Sequence, residues 1–273
     1  MTLRLFYLLL LFLSITSNLK AQWSVAMGPG IASYSGDVSI PDVSYLRAAG
    51  SLEIWYEFTP KLYAKVGASM YRLYAEDFNP NRNRDFRADN YEVYTGVVYA
   101  LTAQRKITPF ISAGIGLTKV DPEHNVALDG INGDAWLRSR EWLLDGHPVP
   151  TPVVIFPIGG GFRFRISSTI SIIADGALRF TNSDMLDGVS ASVINANQLN
   201  DIARLYYETI RPNGIDNEVF INGNPKIGDV YGIFSVKLQF ELGSPSFVRR
   251  SRSFSTRRAR GKVECPVIIP DSN

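Results

Sequence analysis

The residues with the most chemistry to offer fall at alternate positions inside otherwise apolar stretches. They are Glu53, Glu57, Lys65, Arg163, Arg165, Asp175, Arg179, Lys237 and Glu241. Both signs occur, so the set reads as a charge network on one shared face. Either sign alone is costly to bury, whereas opposite charges offset each other. Catalysis has little to build on. A hydrolase needs a base beside a nucleophile or metal, and histidine is the usual base. His124 follows Asp121-Pro122-Glu123, and His147 lies in the turn Asp145-Gly146-His147-Pro148. Both read as ordinary loop residues, so no catalytic residue, metal site or cofactor is expected. Glu76-Asp77 and the acidic 184–187 segment lack the regular ligand pattern of a calcium loop and are expected to make turns. Gly159-Gly160-Gly161 lacks the Lys-Ser/Thr and helix of a phosphate loop. Arg82, Arg84 and Arg87 have the chemistry to touch lipopolysaccharide phosphates but read as solvated loop charges.

The elements that carry these residues follow a rhythm. Eight stretches alternate apolar and polar residues: Trp23–Tyr34, Tyr45–Phe58, Leu62–Tyr74, Asn90–Leu101, Ile107–Val120, Pro152–Ile166, Thr169–Phe180 and Asp229–Leu242. Side chains on a strand point alternately to opposite faces. In the last stretch Val230, Phe234, Val236, Leu238, Phe240 and Leu242 share one face, with Lys237, Gln239 and Glu241 on the other. Three connections are short, at Thr59-Pro60-Lys61, 102–106 and Ser167-Ser168, and the intervening ones are long, at 35–44, 75–89, 121–151 and 181–228. Sorting by parity is the mark of an even-stranded outer-membrane barrel, with tight periplasmic turns and long outer loops. The expected fold is therefore an all-β, eight-stranded antiparallel transmembrane barrel. Eight strands leave an interior that side chains fill, so a plugged barrel is expected, with the charges paired across it. Pro157 inside the sixth stretch predicts a bulge or a late strand start. Asn197–Ile210 has helical apolar spacing and ends at Arg211-Pro212-Asn213-Gly214. It reads as the one loop helix, a small lid on the barrel mouth.

Composition fits the same class. The thirteen Tyr, fifteen Phe and four Trp supply aromatic girdles, and mean hydropathy is near zero, as a half-polar barrel requires. Residues 1–21 read as a secretory signal: a basic start, the apolar run Leu5–Ile15, and Ala21 before the cleavage point. Residues 22–243 form the barrel and 244–273 a basic periplasmic tail. The tail carries Arg249, Arg250, Arg252, Arg257, Arg258, Arg260 and Lys262 against Glu264 and Asp271, a net +5 within a chain of net +2. The signal adds two cations, which leaves the barrel at −5. A basic run on an exported protein points to anionic lipid or an acidic protein surface, and nucleic acid is not expected. The lone cysteine, Cys265, suggests an intermolecular disulfide at a partner contact.

An ordered set of local motifs carries a family resemblance. Tyr34-Ser35-Gly36-Asp37 follows the first stretch, and Asn83-Arg84-Asp85-Phe86 precedes the fourth, which contains Glu92. Thr108-Pro109-Phe110-Ile111-Ser112-Ala113-Gly114-Ile115-Gly116 leads to Asp121-Pro122, and Phe156-Pro157-Ile158-Gly159-Gly160-Gly161 opens the sixth. The run from Arg179-Phe180-Thr181-Asn182 to Asp187-Gly188-Val189-Ser190 follows the seventh, and Gly228-Asp229-Val230-Tyr231 opens the eighth. In this order the chain resembles the PorG-like outer-membrane barrels of the type IX secretion system. It departs from them at Asp187-Gly188, where relatives carry paired acids, and in 147–154, where a Glu-Gly-Gln segment is absent. The resemblance implies a non-enzymatic secretion component that docks periplasmic ring proteins of PorK and PorN type. The alternative is a general surface barrel or narrow porin acting through its outer loops.

Overall fold

The computed structural model describes residues 22–36, 38, 42–77, 84–103, 105–126, 135–144, 146, 148–190, 193–210, 219–221 and 228–242. The signal segment, His147, Arg82 and the basic tail with Cys265 lie outside them.

Eight long antiparallel strands close on themselves. They are β1 (Gln22–Ser35), β2 (Arg47–Thr59), β3 (Leu62–Glu76), β4 (Asp85–Ala100), β5 (Ile107–Lys119), β8 (Val153–Arg165), β9 (Ile170–Thr181) and β12 (Val230–Glu241). Around the barrel the order is β3-β2-β1-β12-β9-β8-β5-β4, and β3–β4 pairing completes the circle. Closure satisfies every strand edge, which a backbone in lipid requires. Burial alternates residue by residue, most regularly along β3. Polar or aromatic side chains face in, and Met27, Ile54, Val66, Val93, Val97, Ile111, Phe162 and Val236 face out, each more than two-fifths exposed. On β4 the outward apolar belt runs from Tyr91 to Tyr99, interrupted only by Thr95. At about 3.4 Å per residue and a tilt near 40°, it fits a band of about 25 Å with its flanks.

The tight turns are built from short side chains. Thr59 Oγ1 accepts from the Lys61 and Leu62 amides, and Ser167 Oγ from those of Thr169 and Ile170. Both chain ends of the barrel lie on this side, where the Leu242 amide donates to the Trp23 carbonyl at 2.7 Å.

Several boundaries differ from the sequence reading. β4 starts at Asp85, five residues before Asn90, because β3 continues upward beside it to Glu76. Tyr45 belongs to a 3₁₀ turn capped by Asp42, whose Oδ1 accepts from the Ser44 amide at 2.8 Å, so β2 starts only at Arg47. Pro157 produces neither a bulge nor a late start. β8 begins at Val153 and holds register with β9 from Ile155 to Arg165. On the β5 side the pairs skip from Ala113↔Ile158 to Gly116↔Ile155. The amide that proline lacks therefore faces β5, and the strand passes the gap without slipping.

The long loops are more structured than alternation could show. β6 (Pro122–Val126) and β7 (Ala135–Arg138) form a hairpin standing on the overhang of β4, through Phe86↔His124 to Ala88↔Pro122. A four-residue helix α1 (Ser139–Trp142) follows. In the last loop β10 (Val193–Asn195) pairs with β11 (Val219–Ile221). The helix there, α2, spans Asp201–Ile210; its first four expected residues instead form a 3₁₀ turn and a cap, with Asn200 Oδ1 accepting from the Ala203 amide at 2.8 Å. The described loops thus hold two short helices where one was expected.

Candidate functional site: the filled lumen and its outer cap

The lumen is layered. Nearest the short turns, Arg165 approaches Glu241 at 3.6 Å, and Arg163 donates to Tyr63 Oη at 2.9 Å while lying over its ring. Glu57 faces inward here, half-buried, and among the described residues neither it nor Arg163 makes an ion pair within 4 Å. An aromatic layer follows, with Trp55 edge-on to Tyr63 and Phe110. Above it sits Glu53, 1% exposed. Its carboxylate accepts from Lys237 Nζ at 2.9 Å, Tyr94 Oη at 2.6 Å and Trp55 Nε1 at 2.8 Å, with Lys65 Nζ at 3.5 Å. Lys237 also reaches Asp175 at 2.9 Å, whose second oxygen accepts from Ser235. One layer higher, Arg179 grips Glu92 through Nη2 at 2.8 Å and Nε at 3.3 Å, and Tyr231 Oη donates to the same carboxylate at 2.6 Å. Tyr71 stacks on Tyr231. An apolar plug closes the top, including Leu73, Phe86, Ile155 and Leu186.

All nine sequence-assigned charges therefore face the lumen, and seven of them form ion pairs. Sequence reading missed Glu92 as a member. Its parity between the outward Tyr91 and Val93 is the signal that places it inside. With Glu92 the set holds five cations and five carboxylates, a neutral lining that dispenses with mobile counter-ions.

Above the plug the loops converge in a buried polar knot. Tyr34 Oη lies 2.8 Å from both Asp187 Oδ2 and Asp229 Oδ1, and the Leu186 and Val189 amides donate to the same two side chains. His124 lies on β6 with 1% exposure, so it is no ordinary loop residue. Its Nε2 faces the Asp187 carbonyl at 2.7 Å, and Nδ1 faces Tyr206 Oη at 3.1 Å. Donation from Nε2–H to the carbonyl leaves Nδ1 to accept from Tyr206. Burial, together with the nearby Arg84 guanidinium, lowers its pKa to about 4, so it is neutral at ordinary pH. Arg84 is not solvated either: it pairs with Asp77 at 2.9 Å, both side chains at most 1% exposed. Arg87 is the exposed one, paired with Glu123 and stacked over Trp136. Asp187 serves the expected turn, its Oδ1 accepting from the Val189 amide, but is fully buried there. Around this knot Leu144, Ile194, Ala203, Tyr206, Tyr207 and Ile210 form a separate apolar cluster, so α2 is packed down as a lid. Among the described residues no group of three or more His, Cys, Asp and Glu could hold a metal ion.

A closed circle of eight antiparallel strands, apolar outside and filled by compensated charges inside, defines a transmembrane β-barrel of the outer-membrane type. No family model and no curated protein matches the chain. Among solved structures it is similar to Neisserial surface protein A, at 12% identity and TM-score 0.42 over 81% of this chain and 97% of that one. It is also similar to a major outer membrane protein from Thermus thermophilus, at 9% identity and TM-score 0.43 over 81% and 99%. A third is OprG from Pseudomonas aeruginosa, at 10% identity and TM-score 0.42 over 82% and 97%.

Proposed function

We propose that this chain is a closed, non-enzymatic barrel of the outer membrane that works through its two rims and not through its lumen. The observation that carries this reading is the stack of side chains across the interior, from Arg165–Glu241 through Glu53–Lys237 and Glu92–Arg179 to the apolar plug. An eight-stranded interior filled in this way is expected to leave no continuous water path. Planar-bilayer recording of the purified protein tests it. Conductance at background level is the expected result, and stable steps in the nanosiemens range would overturn it.

The resemblance to PorG-like barrels refines the reading on the periplasmic side. On that reading the barrel anchors a protein-secretion machine, and the tail with Arg249, Arg250, Arg252, Arg257, Arg258, Arg260, Lys262 and Cys265 docks PorK- and PorN-type ring proteins. Gentle detergent extraction of tagged protein should recover a periplasmic ring component, and deletion of 244–273 should abolish both that recovery and cargo secretion. Recovery of the barrel alone would remove this refinement while leaving the closed barrel intact.

The outer cap favours a second reading, a surface barrel acting through its loops. The β6 hairpin, the last loop and the upper end of β1 are locked together through Tyr34–Asp187, His124–Asp187 and His124–Tyr206. A packed cap presents a defined outer surface, which loosely solvated loops would not. Secretion that survives loss of the tail decides for this reading.

A further inference from the structure

We propose that the outer wall of the barrel carries a binding site for a phosphorylated lipid of the outer leaflet, in the groove between β2, β3 and β4 at the upper edge of the apolar belt. The groove is about 660 Å³ and is lined by Arg47, Ala48, Met70, Arg72, Asp89 and Tyr91 among others. It goes beyond the secretion and surface-barrel readings, because it needs only the barrel and its position in the membrane.

The groove is made by side-chain size. Register places Gly50 opposite Met70 and Met70 opposite Tyr91 in one outward row. Ala48 stands one outward position above Gly50, and Arg72 and Asp89 one above Met70 and Tyr91. The small pair on β2 leaves a trough walled by Met70, which is 66% exposed. Its lower part is apolar and lies within the hydrocarbon belt, where an acyl chain is the available occupant. Its upper part is charged, with Arg47 and Arg72 against Asp89. Arg72 and Asp89 are the first outward charges above the belt on β3 and β4, and Lys119 holds the same place on β5, with its Nζ 5.5 Å from the Tyr91 ring. Arg47 lies over the Tyr74 ring at 4.2 Å and hydrogen-bonds the Ser44 and Leu46 carbonyls, which fixes its guanidinium at the rim.

Carboxylates share this rim. Asp89 takes Arg72 through Nε and Nη2, Glu76 accepts from the Tyr74 and Tyr45 hydroxyls, and Glu123 pairs with Arg87 and Arg138. Among the described residues Arg47 and Lys119 make no ion pair within 4 Å. The Arg72–Asp89 pair is more than half exposed and bidentate through Nε and Nη2, which leaves Nη1 outside the contact and open to a second anion. Two cations without an ion pair among the described residues flank a third that keeps one nitrogen, Nη1, outside its pair with Asp89, directly above an apolar trough and beside interfacial tyrosines. That combination matches a phosphate monoester on an acylated lipid. Arginine binds phosphate through planar, charge-assisted hydrogen bonds, and lysine adds a point charge. A zwitterionic headgroup would bring a second cation to the same rim.

Native mass spectrometry of the full-length detergent-solubilised protein tests this with three probes: bisphosphorylated lipid A, the same lipid dephosphorylated, and inorganic phosphate. The phosphorylated lipid should be retained and the dephosphorylated one lost, and millimolar phosphate should not displace it. Arg47→Gln and Arg72→Gln should each weaken retention about fivefold, the factor set by one cation at a membrane surface. Asp89→Asn should strengthen it, because it releases Arg72. Lys61→Gln, on the opposite rim, should change nothing, and circular dichroism should show every variant folded. Equal retention of both lipids, displacement by phosphate alone, or indifference to Arg47→Gln together with Asp89→Asn would each overturn the site.

Discussion

His124 Nδ1 lies 3.1 Å from Tyr206 Oη, a bond between side chains 82 residues apart that ties the β6 hairpin to the lid helix. Protonation would put a charge into this buried site beside the Arg84 guanidinium, so the closed cap favours the neutral ring. The folded pKa of about 4 lies below the ordinary value of 6.5. Between those values the opened cap binds a proton that the closed cap does not, so closure is favoured above pH 6.5 and loses stability as pH falls towards 4. The ring is faced by the Arg84 guanidinium, which disfavours its charge, and by the backbone of Asp187 and Asp85, which favours it but is outweighed by burial. The full loss is about 3 kcal/mol. Hydrogen exchange of the α2 amides, corrected for intrinsic rates, should therefore accelerate from about pH 7 to about pH 4.5, and His124→Phe should flatten that dependence. Equal slopes in both proteins would contradict the assignment.

Tyr34 Oη stands between Asp187 and Asp229, residues 153 and 195 positions away. Tyr34→Phe keeps the ring packed against Phe86 and removes only the shared hydroxyl. The cost should be about 1–3 kcal/mol, confined to the cap. Limited proteolysis within 183–190 should become faster while the barrel stays resistant.

Gly161 and Gly50 make a matched pair. A Cβ on Gly161 would stand 2.7 Å from the Asp175 Cα, which is backbone and cannot yield cheaply, and Asp175 holds Lys237. A Cβ on Gly50 meets nothing within 4 Å. In urea unfolding from lipid vesicles, Gly161→Ala should cost about 1–3 kcal/mol. Gly50→Ala should stay within about 0.5 kcal/mol.

What can be read from sequence divides along one physical line. A strand has a period of two, so Glu53, Lys65, Asp175 and Lys237 declare their face by parity alone, and their company inside the barrel follows. The loops carry no such period. Nothing local to His124 announces Tyr206, and nothing local to Arg84 separates it from the solvated Arg87. Their fates depend on the β3–β4 overhang, which lifts Asp77 and Arg84 into contact across a hairpin mouth closed by the Asp77 amide and Arg84 carbonyl at 2.7 Å. Pro157 shows a subtler limit. Its residue type is a sound reason to expect disruption, but the cost depends on which neighbour its missing amide faces, and that is a property of the closed sheet.

The Arg179–Glu92 pair gives the sharpest test of the filled lumen. The two side chains are at most 5% exposed and bond through two nitrogen–oxygen contacts. Arg179→Met leaves Glu92 buried with the Tyr231 hydroxyl, at 2.6 Å, as its remaining donor, and an uncompensated buried charge typically costs about 3–5 kcal/mol. Adding Glu92→Leu removes the stranded charge along with its partner. The double variant should therefore regain most of that loss, since replacing a whole buried pair with apolar groups is often neutral. Urea unfolding of the wild type, both single variants and the double variant gives the coupling directly. A strongly favourable coupling places the pair in a dry interior. Additive costs would mean that water reaches both groups, and the layer between Glu53 and the apolar plug would then be wet.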